Sequence, residues 1–278
     1  MKKIFDDVSQ ACSKITTKKY STSFSLGISL LDKKLHKPIY SIYGFVRLAD
    51  EIVDSFHDHN KKELLEKYRE DTKQAIKQKI SLNPILNSFQ YVVNKYNIEW
   101  KYIEQFLNSM QHDIENTKHD ESSYKEYIEG SAEAVGLMCL RVFCNNQNDL
   151  FINLEMHAKT LGSVFQKVNF IRDINADYNQ LHRVYFPNLD INKFDEKEKL
   201  KIELDIENEF QLALVGVKKL PLSSRKGVFL AYSYYYSLFK TIEKTPAKQI
   251  LQKRIRISNM LKIITLVKTK IQYRLNLI

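Results

Sequence analysis

The stretch that decides the fold is residues 166–177, QKVNFIRDINAD, in which Asn169, Asp173 and Asp177 recur at every fourth position. On a helix this spacing advances only about 40° around the axis per step, so the three oxygen-bearing side chains form one stripe. The flanking positions are mostly apolar, which leaves little of the helix free to face water. Carboxylates in such a helix need a partner, and Mg²⁺ binds carboxylate oxygens together with substrate phosphates. The stretch therefore predicts a core helix that carries a divalent metal site.

A second copy of the pattern lies in residues 41–56, SIYGFVRLADEIVDSF. Asp50 and Asp54 are four residues apart in an apolar helix, and Tyr43 and Arg47 share the face of Asp50. A single pair of this kind is usually part of a solvated face, and the second copy is what favours a function. Two such helices, facing each other across a cavity, could hold a metal-bridged diphosphate between them. The alternative is two buried Arg–Asp ion pairs that stabilise a helical bundle.

The composition indicates one mostly helical domain over residues 1–278. The chain is long enough to bury a sizeable core, and it has only 7 Gly and 5 Pro and no Gly/Ser/Pro-rich linker. Three cysteines without metal-type spacing fit reduced thiols in a cytosol. The N-terminus lacks the apolar core of a signal peptide, and no apolar run approaches the length of a membrane span. We expect a cytoplasmic protein that is neither secreted nor membrane-spanning.

Two further segments are candidates for the site. Residues 20–25, YSTSFS, put a cluster of hydroxyls just ahead of the Asp50 helix. Such a junction can hold phosphate oxygens, although an ordinary turn and helix cap uses the same residues. Residues 124–143, YKEYIEGSAEAVGLMCLRVF, place small side chains ahead of a bulky apolar run. The open volume beside them could admit a ligand, or it could let two helices pack closely, which is the commoner reason for such a pattern.

The last 30 residues, 249–278, contain seven basic residues and no acidic one. An apolar stripe runs through the same segment and consists of Met260, Ile263, Ile264, Val267 and Ile271. A helix with these features could lie on an anionic bilayer, at the cytoplasmic face of the membrane. It could equally be a last helix that packs on the core with a solvated basic face.

The pairing of YGFVRLADEIVD with QKVNFIRDINAD resembles the squalene and phytoene synthase family. YSTSFS before the pair, YIEGSAEAVGLM between its members and HRVYFP after it belong to the same resemblance, which extends over nearly the whole chain to RIRISNMLK. The AVGLMCLRVF and RIRISN segments are more similar to phytoene synthases than to squalene synthases. The resemblance implies an all-α, single-domain class I isoprenoid synthase (prenyltransferase) fold, a helical bundle around a central cavity.

The resemblance also implies site residues. The metal and diphosphate cluster would be bound by Asp50, Asp54, Asn169, Asp173 and Asp177. Catalytic contacts to diphosphate or to the reacting carbons would come from Tyr43, Arg47, Tyr127, Arg172 and Tyr235, of which Tyr127 and Tyr235 match positions that line the cavity. Substrate would also be bound by Tyr20, Ser21, Thr22, Ser23, Gln166, Asn169 and Arg254. The cofactor would be Mg²⁺, with Mn²⁺ as a substitute, and we expect no NAD(P)H. Glu51, Glu129 and Glu133 depart from the family pattern.

The activity implied is the head-to-head condensation of two geranylgeranyl diphosphates to phytoene through a cyclopropyl diphosphate, a step of carotenoid biosynthesis. The alternatives are a dehydrosqualene or squalene synthase that uses farnesyl diphosphate, and a non-catalytic lipid-binding or assembly relative. Relatives of the last kind typically lose the aspartates, which this chain keeps. A nucleic-acid partner is not expected, because the net charge of +10 comes without a recognised binding motif or a basic-aromatic repeat.

Overall fold

The computed structural model describes residues 2–115, 119–181, 183–187 and 189–275. In these ranges the regular secondary structure is helical, without a β-strand. The helices in this part of the chain are α1 (Lys2–Tyr20), α2 (Thr22–Ser29), α3 (Lys33–Asp54), α4 (Lys61–Gln78), α5 (Pro84–Tyr96), α6 (Trp100–Glu115), α7 (Glu121–Ile128), α8 (Ala134–Cys144), α9 (Asn148–Leu181), α10 (Glu196–Lys219), α11 (Leu222–Glu243), α12 (Ala247–Ile250) and α13 (Asn259–Arg274). A π-helical turn, Glu129–Glu133, joins α7 to α8, and a 3₁₀ turn, Ile191–Lys193, precedes α10. The predicted all-α fold class is confirmed.

Local capping sets where the helices begin and end. Asn83 accepts hydrogen bonds from two backbone N–H groups of the first turn of α5, and Pro84 occupies the first position, where its missing N–H costs nothing. Asn97 ends the same helix in the left-handed region, at φ 51°. Pro38 lies inside α3 and not in its first turn, because that helix already begins at Lys33.

The apolar side chains form two core clusters. The first joins α3 to α4, α5, α6 and α8, and at its centre the rings of Phe45 and Phe89 stack with centroids 4.0 Å apart. The second joins α9 to α10 and α11 around side chains such as Ile171 and Phe210. Between the two clusters the core is open. The fold therefore holds α3 and α9, the two aspartate-bearing helices, on either side of a cavity.

The small residues near the π-helical turn serve close packing and the cavity together. A Cβ added to Gly130 would collide with the carbonyl oxygen of Gln105 on α6, and one added to Gly162 on α9 would come within 2.6 Å of the carbonyl oxygen of Ala132. Gly162 and Ala132 also line the cavity, as does Gly136. The segment therefore lets helices pack closely and also borders open volume, because side chains small enough for close backbone approach leave space beside them. The entry of a ligand into that volume stays a prediction.

Candidate active site

The cavity between the two core clusters has a volume of about 810 Å³. One face of α9 supplies a wall of it, with lining residues spaced three or four apart from Leu154 to Arg172. At 1.5 Å of rise per residue, this wall is about 27 Å long. The other walls come mainly from α2, α3, α8 and α11, and most of these lining residues are apolar. The cavity is therefore long and largely apolar.

Ten of the residues predicted from the sequence line this cavity: Tyr20, Ser21, Thr22, Ser23, Tyr43, Gln166, Asn169, Arg172, Tyr235 and Arg254. They come from the end of α1, from α2, α3, α9 and α11, and from the segment after α12, so the fold brings together positions up to 234 residues apart in sequence. Ser21 uses its side chain to cap α2, accepting a hydrogen bond from the N–H of Phe24. The hydroxyl cluster thus caps a helix and lines the cavity as well.

On α3, the first aspartate motif is bound to an arginine. The Arg47 guanidinium lies 3.7 Å from Asp50, donates to Glu51 at 3.0 Å and sits 4.2 Å from the centre of the Tyr20 ring. Its Nε is buried and has no hydrogen-bond partner among the described residues. Burial raises the pKa of Asp50 to about 7; Arg47 opposes this rise, and the carboxylate of Asp54 adds to it. Asp50 is therefore held at a cost that a bound cation would relieve.

On α9, the second motif is flanked by two arginines. Asp173 accepts from Nε of Arg172 at 3.0 Å and from Nη2 of Arg254 at 3.2 Å. One turn earlier, Asn169 donates to Gln166 at 3.3 Å, while its Oδ1 is buried without a hydrogen-bond partner among the described residues. A buried amide oxygen without a donor is costly unless something else binds it, and a hard cation is a fitting partner.

The two motifs approach each other where α3 and α9 end. Burial raises the pKa of Asp177 to about 7; Asp173 raises it further, Arg183 opposes the rise, and Asp113 and Asp54 add to it. Arg183 places Nη1 3.4 Å from Oδ1 of Asp54. Aspartates from α3, α6 and α9 thus share one electrostatic environment. We call this cluster the acidic mouth, and it consists of Asp50, Asp54, Asp113, Asp173, Asp177 and Arg183. None of these six residues lines the cavity itself; the cluster adjoins it through Arg172 and Arg254, which line the cavity and donate to Asp173.

Sequence reasoning missed two residues of the acidic mouth, Asp113 and Arg183. Asp113 is a buried carboxylate on α6 whose pKa burial raises to about 6. The available signals were an acid on the apolar face of α6, three residues after Met110, and the arginine of the HRVYFP motif. Neither signal predicts that the two residues contact each other, because they are 70 positions apart in the sequence.

Tyr127 was expected to line the cavity, and the structure corrects this placement. Its hydroxyl donates to Oδ2 of Asp113 at 2.6 Å, and its ring packs among His119, Tyr185 and Phe170. It is buried beneath the acidic mouth and is not one of the cavity-lining residues. The hydroxyl is bound instead to Asp113, a carboxylate that the sequence did not single out.

The donor set fits a divalent metal that a diphosphate bridges. Within the described ranges, no three His, Cys, Asp or Glu side chains converge tightly enough to hold an ion by themselves. Mg²⁺ does not need such a cage, because it usually takes one or two carboxylates and completes its shell with water and phosphate oxygens. Asp50 and Asp54 on α3, and Asn169, Asp173 and Asp177 on α9, offer hard oxygen ligands of this kind.

The all-α bundle, with its two aspartate-bearing helices on either side of an apolar cavity, has the class I isoprenoid synthase fold, and solved structures share it. A dehydrosqualene synthase superposes with a TM-score of 0.82 at 20% identity, covering 97% of this chain and 98% of that one. The squalene synthase HpnC from Alicyclobacillus acidocaldarius gives 0.76 at 17% identity, covering 87% and 95%. The predicted class I isoprenoid synthase fold is therefore confirmed.

The sequence comparisons give the family. The profile described as Squalene/phytoene synthase matches residues 17–210. The 4,4'-diapophytoene synthase of Staphylococcus haemolyticus is 24% identical over 201 residues, 70% of this chain and 68% of the relative. The presqualene diphosphate synthase of Rhodopseudomonas palustris is 26% identical over 169 residues, 60% of this chain and 58% of the relative. The phytoene synthase of Cereibacter sphaeroides is 24% identical over 241 residues, 77% and 66%.

The chain therefore belongs to the squalene/phytoene synthase family, as its motifs predicted, and the family indicates a prenyltransferase that condenses prenyl diphosphates head to head. The matched part spans between about three fifths and two thirds of the relatives named here. None of the helices in the described part of the chain is long and apolar enough to cross a membrane.

Proposed function

We propose that this protein is a Mg²⁺-dependent prenyltransferase that joins two geranylgeranyl diphosphates into a cyclopropyl diphosphate and rearranges it to phytoene. The observation that carries the proposal is the acidic mouth, where aspartates of two helices gather beside one long apolar cavity and are joined to it by Arg172 and Arg254. A site with charged ligands beside an apolar cavity fits a substrate with a diphosphate head and a hydrocarbon tail.

The charged residues would act on the diphosphate. Asp50, Asp54, Asn169, Asp173 and Asp177 would hold Mg²⁺, which supplies Lewis-acid neutralisation of the leaving diphosphate. Heterolysis of the allylic C–O bond leaves the electron pair on the diphosphate and an allylic cation on the prenyl group of the substrate. The arginine side chains near the mouth, Arg47, Arg172 and Arg254, would donate to the departing oxygens as their charge develops.

The aromatic and apolar residues would protect the cation. Tyr43 stacks on Phe24 with ring centroids 4.7 Å apart, and Tyr235 stacks on Phe165 at 4.0 Å. Burial raises the pKa of Tyr43 to about 12, so its phenol stays protonated and its ring offers a neutral π face to a carbocation. The second substrate's double bond attacks the cation, and loss of a proton closes the cyclopropane. Apolar walls keep water from quenching the charge.

Phytoene differs from squalene in how the last cation is quenched. Loss of a proton leaves a central double bond and needs no reductant, whereas squalene formation needs hydride. We infer the first outcome from the AVGLMCLRVF and RIRISN segments, and a relative is named a phytoene synthase. The alternative of a fifteen-carbon substrate is favoured by the diapophytoene synthase relative and by the dehydrosqualene synthase fold.

The test is an assay of purified protein with Mg²⁺ and each diphosphate separately, with and without NADPH, followed by product mass. The proposal expects phytoene from geranylgeranyl diphosphate without NADPH. A strict preference for farnesyl diphosphate would change the product to dehydrosqualene, and a product that needs NADPH would change it to squalene. No product from either substrate under all four conditions would favour a non-catalytic relative.

We further propose that α13 contacts an anionic membrane at its cytoplasmic face, where a water-insoluble product is delivered. The stripe Met260, Ile263, Ile264, Val267 and Ile271 points outward, with exposures between 48% and 73%. The helix packs on α11 through its other face, where Thr265 and Thr269 are buried. An exposed apolar face in a segment with seven basic residues and no acidic one fits an anionic bilayer.

Sedimentation with anionic liposomes tests this contact. The double variant Ile263→Gln/Ile264→Gln should lose binding at low salt. The matched control, Leu200→Gln/Leu204→Gln, removes equally exposed apolar side chains from α10 and should leave binding intact. Equal loss in both variants, or binding that survives deletion of the tail after Val267, would contradict the proposed surface.

A further inference from the structure

A buried arginine links three helices at the acidic mouth. The side chain of Arg183 is only 11% exposed. Its backbone N–H donates to the carbonyl oxygen of Asp177 at the end of α9, at 2.8 Å. Its Nη2 donates to the carbonyl oxygen of Asp113 on α6, also at 2.8 Å, and its Nη1 lies 3.4 Å from the carboxylate of Asp54 on α3. Arg183 therefore touches each of the helices that carry the mouth.

The other arginines of the site do not link the two motifs in this way. Arg47 pairs with Asp50 and Glu51 inside α3. Arg172 and Arg254 both pair with Asp173. In the part of the chain that the structure describes, Arg183 is the one cation whose ion pair reaches Asp54.

Asp113 and two tyrosines hold the guanidinium of Arg183 in place. The carboxylate of Asp113 accepts from the hydroxyls of Tyr127 and Tyr185, at 2.6 and 3.3 Å, and lies 4.0 Å from Nη1 of Arg183. The hydroxyl of Tyr185 is itself 3.4 Å from the same Nη1. Two tyrosines and one aspartate thus hold the guanidinium in place before any ligand arrives, since each of these partners is buried.

We propose that Arg183 is a positioning residue that holds Asp54 and Asp177 at a fixed separation, so that the ligands of the metal-bridged diphosphate are preorganised. The inference rests on the proposed function, because it concerns the same metal ligands. Without a cation between them, the aspartates of α3 and α9 repel one another and the helix ends separate. Arg183 offsets this repulsion inside the protein.

The opposite role makes the opposite prediction. If Arg183 merely competed with Mg²⁺ for Asp54, removing it would make the mouth more negative and would tighten metal binding. The distances favour positioning. The shortest contact of the guanidinium goes to the backbone carbonyl oxygen of Asp113, at 2.8 Å, and it leaves the carboxylate of Asp54 loosely held at 3.4 Å and 43% exposed, free to bind a metal.

Calorimetric titration of Mg²⁺ with inorganic pyrophosphate, without a prenyl substrate, tests the inference apart from turnover. Arg183→Gln should weaken binding by about 10- to 100-fold, as expected when a residue that orients metal ligands is lost. Arg183→Lys keeps the charge and should recover part of the affinity. The matched control is Arg141→Gln, which removes a comparably buried arginine, 13% exposed, that pairs with Glu99 away from the mouth. It should bind as the wild type does.

The outcomes distinguish a failure of the proposed metal site from a failure of the positioning role of Arg183. Wild-type protein that does not bind Mg²⁺ and pyrophosphate overturns the proposed metal site and this inference with it. Wild-type binding with unchanged or tighter binding by Arg183→Gln overturns the positioning role alone. If Arg183→Gln does not fold, Arg183→Lys and Asp113→Asn give the same comparison, and wild-type affinity in both would likewise refute the role.

Discussion

Replacing Asp50 by asparagine distinguishes a metal ligand from a structural ion pair. In the metal-free protein, burial lifts the pKa of Asp50 from its ordinary 3.8 to about 7. Each pKa unit corresponds to about 1.4 kcal/mol, so ionised Asp50 destabilises the folded protein by at most about 4 kcal/mol. The side chain is 29% exposed, and solvent screening lowers this value. We expect Asp50→Asn to raise the free energy of unfolding at pH 8 by about 1–3 kcal/mol.

The gain should depend on pH in one direction. Because the folded-state pKa is raised, the stability that protonated Asp50 contributes is fully present below 3.8 and is lost as pH rises through about 7. The wild type therefore pays the full cost at pH 8 and approaches the variant as pH falls towards 4. The contact that the variant weakens is a long one, 3.7 Å to Arg47, which keeps Glu51 as a partner.

The assay is urea unfolding of protein treated with chelator at pH 8, 6 and 4.5, together with turnover in Mg²⁺. Turnover should fall by orders of magnitude while stability rises, since the carboxylate serves the ligand and not the fold. Asp71→Asn, in an exposed pair with Lys67 on α4, is the control and should change neither. A variant that is less stable than the wild type at pH 8, with turnover retained, would refute the reasoning and favour the structural ion pair.

Three further substitutions test the packing and the substrate end of the site. Gly216→Ala should cost about 1–3 kcal/mol of unfolding free energy, because the new Cβ collides with the side chain of His157. Lys199→Met should cost about 3–5 kcal/mol, because it leaves Glu203 buried without its cation, and adding Glu203→Leu should restore most of the loss. Arg254→Gln should raise the KM for the diphosphate substrate by about tenfold or more, because a charge-assisted hydrogen bond to the diphosphate would be lost. The fold should not be destabilised, because the side chain of Arg254 is half-exposed.

Urea unfolding measures the first two substitutions and steady-state kinetics the third. Unchanged stability of Gly216→Ala would mean that α9 and α10 separate easily at this contact. A double variant no better than Lys199→Met would show that the pair contributes more than charge compensation. A fall in kcat at constant KM for Arg254→Gln would assign this residue to the transition state alone.

The sequence by itself determined the features that depend on short-range periodicity. Apolar residues at helical spacing predict α3 and α9, and the four-residue repeat of Asp50 and Asp54, and of Asn169, Asp173 and Asp177, puts each set on one helical face. The paired motifs also predicted the family and the all-α fold, and the comparisons confirm both. The roles of the site residues stay predictions for the experiments above.

Tertiary structure alone decided which charges meet and which faces are covered. Asp113 and Arg183 become partners through packing across 70 positions of sequence, and Arg183 reaches Asp54 across 129. Local spacing carries no information about contacts at such separations. The last helix shows the same limit, since α13 buries Thr269 and exposes Ile263, the reverse of what its apolar stripe predicts for a helix that packs on a core. Which face a helix buries depends on the surface it meets, and that surface is built by residues far away in the chain.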